Sequence, residues 1–169
     1  MNLTTLAGKA SHNKWYRWFL SYQLNRVVPF NGPHKFKITA ISGQFLEVEL
    51  PYRKSNLNHL KGLHACAMAT LAEVTSGFLL LINLNPKRYR LILERLEMDY
   101  HYQGKMAAWV RFELNEQFLQ EKIKAPLEKT GKISLPCEVK IYDRQKNHLA
   151  TGIAHWQIKN WQQVKTKVA

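Results

Sequence analysis

Acidic residues are scarce in this sequence. Twelve Asp and Glu stand against 25 Lys and Arg, a formal charge of +13. No acid precedes Glu47 and none follows Asp143, so both ends are basic and the middle is mixed. Such a field favours anionic partners: nucleic acid, an anionic membrane surface or a phosphate-bearing ligand. Nucleic acid is the weakest of these, because the chain has no RGG run, zinc finger or RNP-like sequence. Cysteine is nearly absent too. Cys66 and Cys137 lie in apolar contexts and form neither a disulfide framework nor a zinc pattern. Long apolar runs are missing. The longest, residues 78–82, is far too short to span a bilayer. Residues 1–10 contain no uninterrupted apolar core of the kind a signal peptide needs. The expectation is one soluble cytoplasmic domain with a real core, since 46% of 169 residues are hydrophobic.

The dominant stretch starts as a polar loop, Asn58-His59-Leu60-Lys61-Gly62-Leu63-His64, and becomes a nearly uncharged helix through residue 82. Gly62, Cys66, Ala69, Glu73 and Gly77 share one small-residue face. Leu63, Ala67, Leu71, Val74 and Phe78 form a bulky stripe for a sheet to grip. Glu73 is the one carboxylate in this helix, and burying it is expensive without compensation. Either a backbone or basic group satisfies it, or it lies at a cleft and acts as base, nucleophile or water-positioner. The first-turn N–H groups of the helix are unsatisfied donors suited to a polarised carbonyl. Asn58, His59 and His64 are the neighbouring candidates, and their spacing with Glu73 matches no zinc motif, so no metal is expected.

Around this helix the pattern predicts an amphipathic helix over residues 12–28 capped by Ser11. Its Trp15, Trp18, Phe19 and Tyr22 share one face, expected to dock on the body; a membrane surface or a ligand entrance are the other uses of that face. Strands follow at 36–42 and 45–50. After the central helix, residues 88–102 and 106–112 read as a long hairpin, with a bulge near Glu94-Arg95 where the apolar phase shifts. A short helix over 115–123 is limited by Pro126, and strands follow at 133–141 and 149–158. The domain boundaries are 1–35 for the N-terminal helix and linker, 36–160 for the main domain and 161–169 for a basic tail. The class is α+β: a largely antiparallel sheet curled around a long central helix, with an extra N-terminal helix.

Asn58, Gly62 and His64, with an acid nine positions after that His, together with this order of elements, resemble the hotdog-fold acyl-CoA thioesterase superfamily. The likeness is greatest to the PaaI-like thioesterases and a related group of thioesterases with little characterisation, and it covers residues 36–158. The resemblance implies hydrolysis of an acyl-CoA or acyl-carrier-protein thioester. Glu73 would attack the thioester or activate water, Asn58 would position water or substrate, and His64 would orient the thioester end. Ala65 and Cys66 stand where the family has Gly-Gly; Ala65 still supplies the N–H that polarises the carbonyl. No cofactor is required beyond coenzyme A as part of the substrate. Lys54, Lys61, Arg88 and Arg90 are candidate contacts for its phosphates, on location alone. Tyr100, Tyr102 and Trp109 are candidates to line an acyl tunnel or to sit in the core. The family assembles as homodimers, often homotetramers, with sites between subunits. Two other readings use the same fold: a non-catalytic protein binding an acyl chain or lipid, and a 3-hydroxyacyl thioester dehydratase.

Overall fold

The structure, a computed structural model, describes residues 3–164. Six antiparallel strands form one sheet in the order β1-β2-β4-β5-β6-β3. These are β1 Lys37–Ile41, β2 Phe45–Leu50, β3 Tyr89–Tyr100, β4 Ala108–Glu113, β5 Lys132–Asp143 and β6 His148–Asn160. The sheet curls around one long helix that touches five of the strands; by position in the chain this is α3, Ala65–Asn83.

The N-terminal segment departs from the single predicted helix. It forms two, α1 Leu3–His12 and α2 Lys14–Val27, packed on each other. The break is Asn13, extended at φ −133° and ψ 119°, whose side chain accepts Trp15 N–H at 2.8 Å. Ser11 is not the cap, because it belongs to α1 and its hydroxyl donates to Gly8 O at 2.6 Å. The predicted docking face is also reversed. Leu20 and Leu24 are the buried residues of α2, and the Trp15, Trp18, Phe19 and Tyr22 face points outward. Two polar residues set this orientation. Ser21 Oγ accepts Ile38 N–H at 2.8 Å, and Asn25 both accepts Phe36 N–H and donates to Phe36 O, each at 2.8 Å. Helix α2 thereby satisfies the open edge of β1, where another strand would otherwise pair.

The long hairpin expected from residues 88–112 does not form. β3 pairs with β6 from Tyr89↔Asn160 to Tyr100↔Ala150, while β4 lies between β2 and β5. The connection has other partners for its backbone. His101 N–H and Tyr102 N–H donate to Leu149 O, and Gly104 O accepts Leu63 N–H. The chain therefore crosses the mouth of the sheet at the start of α3 rather than turning back. The predicted bulge is present as a register shift between Leu93 and Arg95. Pro126 does not end the helical stretch before β5. That stretch comprises α4 Glu116–Phe118, a π-helical turn Leu119–Lys124 and α5 Ala125–Thr130. The wide π turn, with Ala125 N–H donating to Gln120 O, carries the chain past the proline ring.

The core lies between α3 and the concave face of the sheet. Leu71, Ala72, Leu79 and Leu80 of α3 are fully buried against Leu46, Val48, Val110, Ile141 and Ala154. Each buried Leu contributes about 1.5–3 kcal/mol relative to exposure. By length and composition α3 also passes as a bilayer-crossing helix, but most of it is buried inside this sheet. The gripped face is wider than the predicted stripe, and Phe78 at its end packs half-buried against the core. At Gly77 the helix meets β6 closely: a Cβ there would lie 2.6 Å from the Trp156 ring. After β6 the chain docks through Trp161–Gln163, with Trp161 Nε1 donating to Pro86 O at 2.9 Å. Residues 165–169 of the expected basic tail lie outside the described residues.

Candidate active site

The loop before α3 is held by a residue that the sequence reading passed over. Asn56 is fully buried; its Nδ2 donates to His34 O and Pro51 O, each at 2.9 Å, and its Oδ1 faces His34 Nδ1 at 2.9 Å. Its carbonyl accepts His64 N–H at 2.8 Å, which fixes where α3 begins. Asn58 builds the next turn. Its Oδ1 accepts Leu60 N–H at 2.9 Å and Gly62 N–H at 3.0 Å, with Lys61 in the left-handed region at φ 57°. The Asn58 carboxamide oxygen is therefore committed to the loop.

His64 is the N-cap of α3. Its Nδ1 accepts Cys66 N–H at 3.1 Å, so the neutral ring carries its proton on Nε2. His64 O accepts from Ala67 and Met68. Ala65 N–H is the first-turn donor left with no partner among the described residues. Tyr100 closes one side, its hydroxyl donating to Ala65 O at 3.0 Å. Burial, then the neighbouring Cys66, push the Tyr100 phenol up.

Glu73 lies further along the same side of α3, half-buried, after exposed Ala65 and Cys66 and half-buried Ala69. Its carboxylate has no hydrogen bond or ion pair among the described residues. Burial alone raises its pKa above the ordinary 4.5. It opens into a cleft of ≈ 240 Å³ walled by Leu24, Phe78, Leu81, Leu91 and Trp156. Trp156 is fixed there by its Nε1 donating to Ser76 Oγ at 3.1 Å. Asn31, 1% exposed, adds a second polar group to the lining and anchors it by donating to Leu24 O at 3.1 Å. Asn31 and Trp156 were not among the predicted site residues. Nothing local marks them, since both reach the cleft only through the tertiary fold.

The predicted groups fall into two sets within one chain. Glu73 is eight residues beyond Ala65 on α3, about 12 Å along the axis at 1.5 Å per residue. First-turn N–H groups point out of the helix end, away from Glu73. A carbonyl bound by Ala65 N–H is therefore out of reach of the same chain's Glu73. The cations divide likewise. Lys54 and Lys61 flank the start of α3, whereas Arg88 and Arg90 follow its far end, about 28 Å away along a 19-residue helix. Arg88 stacks over Tyr89 at 5.2 Å. Arg90 donates to Gln157 Oε1 at 2.8 Å, and its Nε is buried without a partner among the described residues. Tyr102 is 59% exposed. Trp109 is directed to the outer side of the sheet, where its Nε1 donates to Asp143 O at 3.1 Å beside Tyr142, so it lines no passage to α3.

A protein-family model described as Domain of unknown function (DUF4442) matches residues 16–161. No curated protein matches. Among solved structures, a Pseudomonas aeruginosa protein of unknown function, named a probable thioesterase, is 20% identical with a TM-score of 0.77, covering 85% of this chain and 95% of its own. A Chlorobaculum tepidum protein of unknown function is 13% identical, with a TM-score of 0.68 over 85% of this chain and 96% of its own. A Haemophilus influenzae thioesterase is 10% identical, with a TM-score of 0.65 over 86% and 94%. At these identities the likeness is one of fold: a curled antiparallel sheet around a long helix. The chain has the hotdog fold found in thioesterase structures and belongs to the Domain of unknown function (DUF4442) family.

Proposed function

We propose that this protein hydrolyses an acyl thioester, carried by coenzyme A or acyl carrier protein, with Glu73 as base or nucleophile. The observation that carries the reading is Glu73 itself: a half-buried carboxylate with no partner among the described residues, raised in pKa and open to an apolar cleft. A structural carboxylate would be paired, and a protein that only binds acyl chains gives this one no use. The apolar walls of the cleft suit an acyl segment. As base, Glu73 takes a proton from water, whose oxygen bonds to the thioester carbon. The C–S bond then breaks, and the thiolate leaves and is protonated. As nucleophile, its oxygen bonds to the thioester carbon, the C–S bond breaks, and the thiolate leaves and is protonated. Water then hydrolyses the resulting acyl anhydride to the free acid and Glu73. In both routes the carbonyl oxygen gains charge, and the Ala65 amide is the donor proposed to stabilise it.

The 12 Å gap between those two groups is the reason for proposing a homodimer. A second α3 running antiparallel across a two-fold axis would bring Ala65 N–H of each protomer to Glu73 of its partner. The free edge of β3, twelve residues long with β6 on its other side, offers a second element for the same contact. Asn58 Nδ2 and His64 Nε2 complete the polar end of the site. Lys54 and Lys61, beside it, are the cations proposed for coenzyme A phosphates. Steady-state hydrolysis of acyl-CoA substrates over a range of chain lengths tests the reading. Turnover is expected for the natural chain and loss for Glu73→Gln and Asn58→Ala; no turnover at any chain length overturns it.

A further inference from the structure

Helix α2 turns its most apolar face to solvent. Trp15 is 70% exposed, Trp18 65%, Tyr22 48% and Phe19 38%, while Leu20 and Leu24 on the opposite face are buried. Trp18 and Tyr22 stack at 6.1 Å, and Lys14 lies over Trp15 at 6.0 Å. The patch continues past the helix end through exposed Val27, Val28 and Phe30. Beside it runs a groove of ≈ 450 Å³ between α2 and β1, lined by Lys14, Arg17, Lys35 and Lys37 together with Trp18 and Tyr22. No acidic residue occurs anywhere in the first 46 positions.

We propose that this face docks on an anionic phospholipid bilayer. Indole and phenol rings are amphipathic and settle at the level of lipid headgroups, and neighbouring cations meet the anionic phosphates. Charge selects this occupant over a second copy of the chain. A two-fold contact through α2 would set Lys14 and Arg26 against the same cations with no acid to pair them. Val28 lies both in the exposed patch and in the wall of the Glu73 cleft, whereas Leu24 reaches that cleft from the buried face of α2. The proposal concerns binding only and stands whether or not Glu73 performs hydrolysis.

The test is cosedimentation of the full chain with phosphatidylcholine vesicles and with vesicles also containing phosphatidylglycerol. Quenching of tryptophan by brominated lipids is measured in parallel. Binding is expected on the anionic vesicles, weakening with salt and accompanied by quenching. Trp15→Ser/Trp18→Ser is expected to lower the partition constant about tenfold or more. Lys14→Ala and Lys35→Ala should each lower it about fivefold. Far-UV circular dichroism checks that these surface variants fold, and the quenching of the natural chain is informative even if one does not. The proposal is overturned by absence of binding, by equal binding to neutral vesicles, or by binding without quenching. Tighter capture of a single-stranded oligonucleotide by the same residues, or self-association lost in the tryptophan variant, also overturns it.

Discussion

Glu73 is the residue on which the proposed chemistry turns, and its surroundings give it a testable pH signature. Burial raises its pKa above 4.5 in the fold. The folded state therefore holds the proton more tightly than the unfolded chain. Stability associated with Glu73 is full below pH 4.5 and is lost as pH rises through the raised value. Glu73→Gln removes that loss. It should melt above the natural protein at neutral pH, with the difference closing as pH falls toward 4.5. The same change should lower kcat/KM by about 10²–10⁴-fold. In the natural protein the acid limb of the rate profile should have its midpoint above 4.5, because the working form is the carboxylate. Thermal melts across pH and steady-state kinetics read these outcomes. Glu73 was visible in the sequence because one acid in an apolar helix is costly wherever it faces. Asn56 was not, because it differs from Asn58 only in having His34 and Pro51 carbonyls beside it in space. Gly77 belongs to the small face by its spacing, and its role is the close seat of Trp156. Gly77→Ala should displace that indole from Ser76 and cost about 1–3 kcal/mol in denaturant unfolding.

At the scale of elements, local alternation identified every strand, and the phase shift near Glu94 located the bulge. What alternation does not carry is which strands pair. β3 and β4 are neighbours in sequence, yet each finds its partners elsewhere because the connecting backbone bonds to Leu149 and Leu63. The orientation of α2 was hidden for a different reason. Its aromatic face has more apolar surface than Leu20 and Leu24, so hydrophobicity alone favours burying the wrong side. Ser21 and Asn25 decide instead, by satisfying the β1 edge. Asn25→Ala should leave Phe36 N–H and C=O without that partner and destabilise the fold by about 1–3 kcal/mol. Hydrogen exchange should show the amide of Phe36 opening faster than those of β5. Unchanged protection would mean that α2 does not hold this edge.

For the whole molecule, the two groups proposed to act on a thioester lie too far apart in one protomer to work together. An unpartnered amide sits at the start of α3, and a carboxylate sits in a cleft eight residues on. The sequence motif named these residues but gave only their order along one chain. Helix geometry turns that order into a distance, and the proposed hydrolysis across that distance calls for a partner subunit. Sedimentation should accordingly report a dimer or a multiple of it. The sharper measurement is complementation between two inactive variants. Ala65→Pro removes the N–H at the first helical position, where proline fits, and His64 at ψ 137° already has the backbone a following proline prefers. Glu73→Gln removes the carboxylate. Each variant alone should be inactive. Mixed in equal amounts, unfolded and refolded together, half of the dimers are hybrids with one intact site each, so activity should return to about a quarter of the natural protein's. Recovery no greater than the sum of the two variants would contradict a site shared between subunits.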